Sequence, residues 1–309
     1  MRPVFMMHRF LKKRLFIVLI LFAAAAAPMG VYRYARHTAV SGLDRIVARV
    51  PWIHAVTFGS IHVDIFGEGM GMEDVDVTLA GVTRPVHIDR IVVHSMDRKH
   101  PWPVRMQVEF HGIRLSPEHV PDSGALFHQL GYDALTVRLE CAYRYDHPGN
   151  ILSLERLHVD VADAGSVTLS ARVGNIDLPE LFSGQARGAT MVGRLGGMLI
   201  RRGDLHYVDA SLFGRALQAL ARSSGVPPHV YRRRLARRIA ILMTTDPRSD
   251  MGRIGAALSS FLKQPTQLFA RVAPNRPTAL FWLLWFRDLE KLVDQLGLQV
   301  FTAPNPDSS

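Results

Sequence analysis

LTVRLECAYRYDHPGNILSLERLHVDV (135–161) is the stretch on which the fold turns. Leu135, Val137, Leu139, Cys141, Tyr143 and Tyr145 alternate with Thr136, Arg138, Glu140, Ala142 and Arg144. Side chains leave a strand on opposite faces in turn, so a period of two predicts a strand with one apolar and one mostly polar face. DHPGN (146–150) supplies turn residues. Leu152 and Leu154, then Leu157, Val159 and Val161, predict the returning strand of an antiparallel hairpin. Val167, Leu169, Ala171 and Val173 continue the meander.

The same habit runs back toward residue 55. Val56 and Phe58 precede Ile61, Val63 and Ile65; Val75, Val77 and Leu79 follow. Then come Val86 and Ile88, Ile91 and Val93, and the run Val104, Met106, Val108, Phe110, Ile113 and Leu115. The alternation slips by one residue at Gly59-Ser60, His111-Gly112 and Glu155-Arg156. One extra residue in a strand is a bulge that bends and twists the sheet, so repeated slips predict strong curvature. About eight or nine strands are expected over 55–208. Parallel α/β packing is disfavoured, because no helix-length segment separates these strands. The single cysteine, Cys141, lies on an apolar strand face and reads as core; alone it makes no intrachain disulfide.

After residue 208 the period changes. Asp209 or Ser211 caps a helix carrying Leu212, Phe213, Ala216, Leu217 and Leu220. Pro227 and Pro228 open a second helix containing YRRRLARRIAILM (231–243). At 100° per residue, Tyr231, Leu235, Ile239 and Leu242 share one side, opposite Arg233, Arg234, Arg237 and Arg238. Ile254, Ala257, Leu258, Phe261 and Leu262 mark a third helix, stopped by Pro265. LFARV (268–272) reads as a strand. Thr278 is expected to cap a fourth helix beginning ALFWLLWF (279–286), with Leu298, Val300 and Phe301 in a closing strand.

The other end is basic, then apolar. Arg2, Arg9, Lys12, Lys13 and Arg14 precede any acidic residue, and Leu15 to Tyr32 carry no charge. As a helix that run spans about 27 Å, close to the roughly 30 Å of a bilayer core. The flanking charge puts the N-terminus in the cytoplasm. A cleaved signal peptide is the alternative, with Ala23 to Ala27 as cleavage region and Pro28 against it. The net charge of +10 is localised: residues 201–253 hold 11 basic and 4 acidic residues. A nucleic-acid-binding domain presents a broader basic face, so no nucleic-acid partner is expected.

No catalytic motif survives inspection. GEGMG (67–71) sits between strands with no helix after it, so it reads as a turn. HExxH, GxSxG and phosphate-binding GKS or GKT are absent from the sequence. His62, His87 and His158 fall on polar strand faces, and Asp74 with Asp76 reads as a solvated face. The chain is therefore expected to be no enzyme, with no metal and no cofactor.

The layout resembles AsmA-like and YdgA-like envelope proteins of Gram-negative bacteria. The resemblance is carried by the leader, by VTFGSIHVDIFGEGMGMEDVDVTL and VHIDRIVVHSM, by LGYDALTVRLECAYRYD with LSLERLHVDVADAGSVTLSARVGNIDL, and by FLKQPTQLFARVAP with LGLQV. It implies an inner-membrane-anchored periplasmic protein whose curved sheet holds lipid in envelope homeostasis. No functional residue carries over.

These readings combine into an α+β fold: an N-terminal transmembrane helix, then a curved, mainly antiparallel β-sheet with a C-terminal helical segment. Residues 1–14 are a cytoplasmic basic tail, 15–32 a transmembrane signal anchor, 33–208 the sheet, 209–302 the helical segment with one or two closing strands, and 303–309 a disordered tail. The expected location is the inner membrane, single-pass, with the bulk of the chain periplasmic. A non-enzymatic protein that binds or shelters membrane lipid is the first functional expectation, its groove lined by Val137, Leu139, Tyr143, Leu154 and Val159. The alternative is a membrane-anchored scaffold whose Arg233, Arg234, Arg237 and Arg238 bind an acidic envelope protein or anionic lipid. An exported hydrolase ranks last.

Overall fold

The computed structural model describes residues 53–302 except 64–68, 83, 98–99, 101–102, 120–123, 178–192, 194–195, 244–245, 247 and 282–287. The strands are β1 (Ile53–Val63), β2 (Met70–Leu79), β3 (Val86–Met96), β4 (Arg105–Leu115), β5 (Leu135–Asp146), β6 (Ile151–Val161), β7 (Gly165–Gly174), β8 (Leu199–Asp209), β9 (Gln267–Val272), β10 (Thr278–Ala279) and β11 (Leu298–Phe301). They form one sheet in the order β1 to β9, then β11, with β10 beside β8. Every pairing is antiparallel. Short turns such as His147–Asn150 and Ala162–Ala164 enforce that order, since a parallel neighbour needs a much longer crossover. The helices are α1 (Gly124–Leu130), α2 (Leu212–Ser223), α3 (Pro228–Met243), α4 (Asp250–Lys263) and α5 (Leu289–Leu296).

The slips in alternation are coupled. Gly59 faces Asp74, Asp74 faces Asp89, and Asp89 faces Gly112, in one row across β1 to β4. On each strand the core-facing residues step by three there, as from Met72 to Val75 and from Ile88 to Ile91. Asp74 (φ 52°) and Gly112 (φ 65°) both take left-handed backbone. A Cβ on Gly112 would fall on the Asp89 carboxylate, so the row needs glycine at that end. Because four strands slip together, their mutual register survives at this row, and Gly59-Ser60 is not the bulge its sequence suggested. The mismatch surfaces only where β4 meets the evenly alternating β5, between Phe110 and Ile113. Around Glu155, β6 is bulged against both β5 and β7, where the sequence slips.

Core clusters follow the strands and then the helices. Ile61, Met72, Val75, Ile88, Ile91, Val93 and Val108 form the cluster of β1 to β4. Tyr143, Tyr145, Ile176 and Met198 form a second; Phe127, Tyr132 and Ala164 a third, with Leu212 of α2. Met251, Ile254 and Val293 join α4 and α5 over Leu298 and Val300 of β11.

The structure corrects the α+β expectation of a transmembrane helix, a sheet and a C-terminal helical segment. The sheet does not end at residue 208. The C-terminal segment returns to it three times, as β9, β10 and β11; α2, α3 and α4 lie between β8 and β9, and α5 between β10 and β11. Thr278 pairs with Ile200 of β8 instead of capping a helix, and residues 282–286 of ALFWLLWF lie outside the described residues. The single-pass inner-membrane placement, with its signal anchor, is corrected as well. Among the described residues no helix is long and apolar enough to cross a membrane. The longest, α3, has 16 residues and carries five arginines, against the roughly 20 apolar residues that a span requires. The segment 15–32, on which the anchor was read, lies outside the described residues.

Candidate functional site

Helix α3 opens at Pro228, whose missing N–H falls where a helix needs none, and packs against α2 and α4. Tyr231, Leu235, Ala236, Ile239 and Met243 are half-buried toward those neighbours. Arg233, Arg234, Arg237 and Arg238 are all exposed on the other side. Arg233 with Arg237 and Arg234 with Arg238 are like charges one turn apart, which cost an isolated helix about 0.2–0.5 kcal/mol each. Helix α3 contains no acidic residue to relieve them. The neighbouring carboxylates are engaged elsewhere: Asp246 accepts the backbone N–H of Arg248, and Asp250 pairs with Arg253. Among the described residues no carboxylate lies within ion-pair distance of the four arginines.

The arginine face is not purely polar. Ile241 is 74% exposed and Leu242 70% exposed. At 100° per residue Ile241 falls between Arg237 and Arg234, and Leu242 lies just past Arg238. The sequence reading placed Leu242 with the packed side and overlooked Ile241. The helical angle of Ile241 was the available signal. Leu242 sits at the margin of the packed stripe, and only the positions of α2 and α4 decide that it stays uncovered.

The five groove candidates lie on the β5–β6 hairpin. Leu139 stands directly opposite Val159, and Tyr143 opposite Leu154. Val137, opposite Val161, is buried. Tyr143 and Leu154 pack with Tyr145, Ile176 and Met198. Tyr143 is 9% exposed and its hydroxyl donates to the Pro103 carbonyl at 3.0 Å. Burial pushes its phenol up to about 12, with smaller contributions from Cys141 and Asp97. Leu139 and Val159 are half-buried. The hairpin thus brings the five onto neighbouring positions, two of them in a cluster closed by a hydrogen-bonded tyrosine.

Chemistry-bearing side chains elsewhere are tied into local pairs. His87 Nδ1 lies 2.8 Å from Asp76, which separates Asp76 from Asp74 as a would-be carboxylate pair. His158 bonds Thr168 at 2.8 Å. Among the described residues no group of three His, Cys, Asp or Glu side chains is placed to hold a metal. Burial raises the Cys141 thiol above its ordinary range, away from the reactive thiolate.

A family model described as "Uncharacterized protein" matches residues 158–302, which run from within β6 to the end of β11. No curated protein matches the chain.

Proposed function

We propose that this protein is a non-catalytic binding module that docks an acidic protein partner on the exposed face of α3. One observation carries the reading: four arginines with no carboxylate partner among the described residues share a helix face with two strongly exposed aliphatic side chains. Solvated charge alone does not account for the aliphatic pair. Arginines rimming exposed Ile241 and Leu242 match an interface in which apolar contact supplies affinity and opposite charge supplies steering. The matched segment 158–302 contains this helix. In this reading the resemblance to AsmA-like and YdgA-like proteins is one of strand pattern, and it assigns no residue a role.

A photoreactive residue placed at position 241 of the full chain tests the proposal. The expected product is a crosslink to a protein of net negative charge. It should fall by about tenfold or more when Arg233 and Arg237 are both changed to Glu. A crosslink that survives this charge reversal overturns the reading. So does binding of the full chain to phosphatidylglycerol vesicles that removes the crosslink.

A further inference from the structure

A second uncommitted charge lies far from α3 in sequence, on the polar face of β1 to β3. In register, Gly71 of β2 sits between His62 of β1 and Val92 of β3, and Glu73 sits directly opposite Arg90. Arg90, Val92 and His94 project from the same face of β3, about 6.6 Å apart in turn. Gly69 and Gly71 place no side chain on this patch. The result is a cleft of about 530 Å³ lined by His62, Glu73, Arg90, Val92 and His94 over a glycine floor. That volume falls within the range of small-molecule sites. A Cβ built on Gly71 meets only the Ile91 carbonyl, at 3.9 Å, so any larger residue there would stand in the cleft.

The charges around the cleft are spoken for, with one exception. The Glu73 carboxylate accepts from Ser60 at 3.2 Å and lies 3.7 Å from His62. His94 Nε2 lies 2.7 Å from Glu109, which His111 and Arg138 also contact. Burial raises the Glu109 carboxyl, yet His94 and Arg138 together hold it below its ordinary value, so it stays a fixed anion. The Arg90 guanidinium has no ion-pair partner among the described residues. Its planar fork fits two oxygens of one anion.

We propose that this cleft is a binding site for a small organic phosphate. Arg90 takes the phosphoryl oxygens, and the organic body lies on the floor formed by Gly71 and Val92. The site is independent of the α3 face, and either can fail without the other. The test is calorimetric titration of the full chain with phenyl phosphate and with inorganic phosphate. Phenyl phosphate is expected to bind about tenfold tighter than inorganic phosphate, because only it covers the floor. Arg90→Gln should abolish binding of both probes. Gly71→Leu should block phenyl phosphate. Arg90 is exposed, so the Arg90→Gln chain keeps its fold and decides the matter even if Gly71→Leu does not fold. Absence of binding up to about 10 mM phenyl phosphate overturns the proposal. Binding that survives Arg90→Gln does the same.

Discussion

At the scale of single residues, this chain is held by positions where backbone meets backbone and by polar groups that burial isolates. Gly165 opens β7 with φ 144°, and a Cβ there would stand 2.4 Å from the Val208 carbonyl of β8. That neighbour is backbone and not a flexible side-chain tip, so Gly165→Ala must displace a strand. It is expected to cost at least about 1 kcal/mol, read as a lower melting temperature. The buried phenols give a pH signature. Burial, reinforced by Asp209, also pushes Tyr207 up, and its hydroxyl donates to the Asp209 carboxylate. Tyr143 titrates near 10 when unfolded and at about 12 when folded. Its contribution to stability is therefore complete below pH 10 and is lost as pH rises toward 12. An alkaline absorbance titration of the native chain should show Tyr143 and Tyr207 ionising late, and Tyr143→Phe should remove one late phenolate.

At the scale of elements, the strands were legible and the helix surfaces only half so. The even alternation from Leu135 to Tyr145 is β5, and the slip at Glu155-Arg156 is a bulge of β6. The slip at Gly59-Ser60 read the same way in sequence, yet it leaves no register shift because Asp74 slips opposite it. A single strand's pattern reports its own side-chain faces. Register is a property of two strands, and here of four. On α3 the periodicity separated arginines from aliphatics but misplaced Leu242. If the arginine face is kept for a partner, it should be suboptimal for the helix itself. Arg234→Glu replaces a like-charge pair with a carboxylate one turn before Arg238. It is expected to raise stability by a few tenths of a kcal/mol by chemical denaturation, while weakening partner capture.

At the scale of the whole molecule, one sheet runs from β1 to β11 and links cores that are distant in sequence. Ile61, 2% exposed, belongs to the cluster of β1 to β4; Ile254, 3% exposed, belongs to the cluster of α4, α5 and β11. Each change to Ala should cost about 2–5 kcal/mol from lost burial and the cavity left behind. The residues share no packing cluster, so the double variant should equal the sum within about 0.5 kcal/mol in denaturant titrations. A larger discrepancy would show that strain passes along the sheet from one end to the other. The cleft beside Arg90 also belongs to this scale. Residues 67–68 of GEGMG, read as a turn, lie outside the described residues; three strands bring His62, Gly71, Arg90 and His94 to one cleft.

The sequence by itself determined what alternation and composition can encode: the main strands, their apolar faces, the antiparallel order that short turns impose, and a helix with a concentrated arginine face. These are local facts, set by how a side chain leaves its own backbone. Only the tertiary structure decided that residues 209–302 return to the sheet as three more strands, that four slips cancel in one row, and which aliphatic and charged groups remain uncovered. Each of those outcomes depends on what lies across a strand pair or over a helix face, and no single segment carries that information.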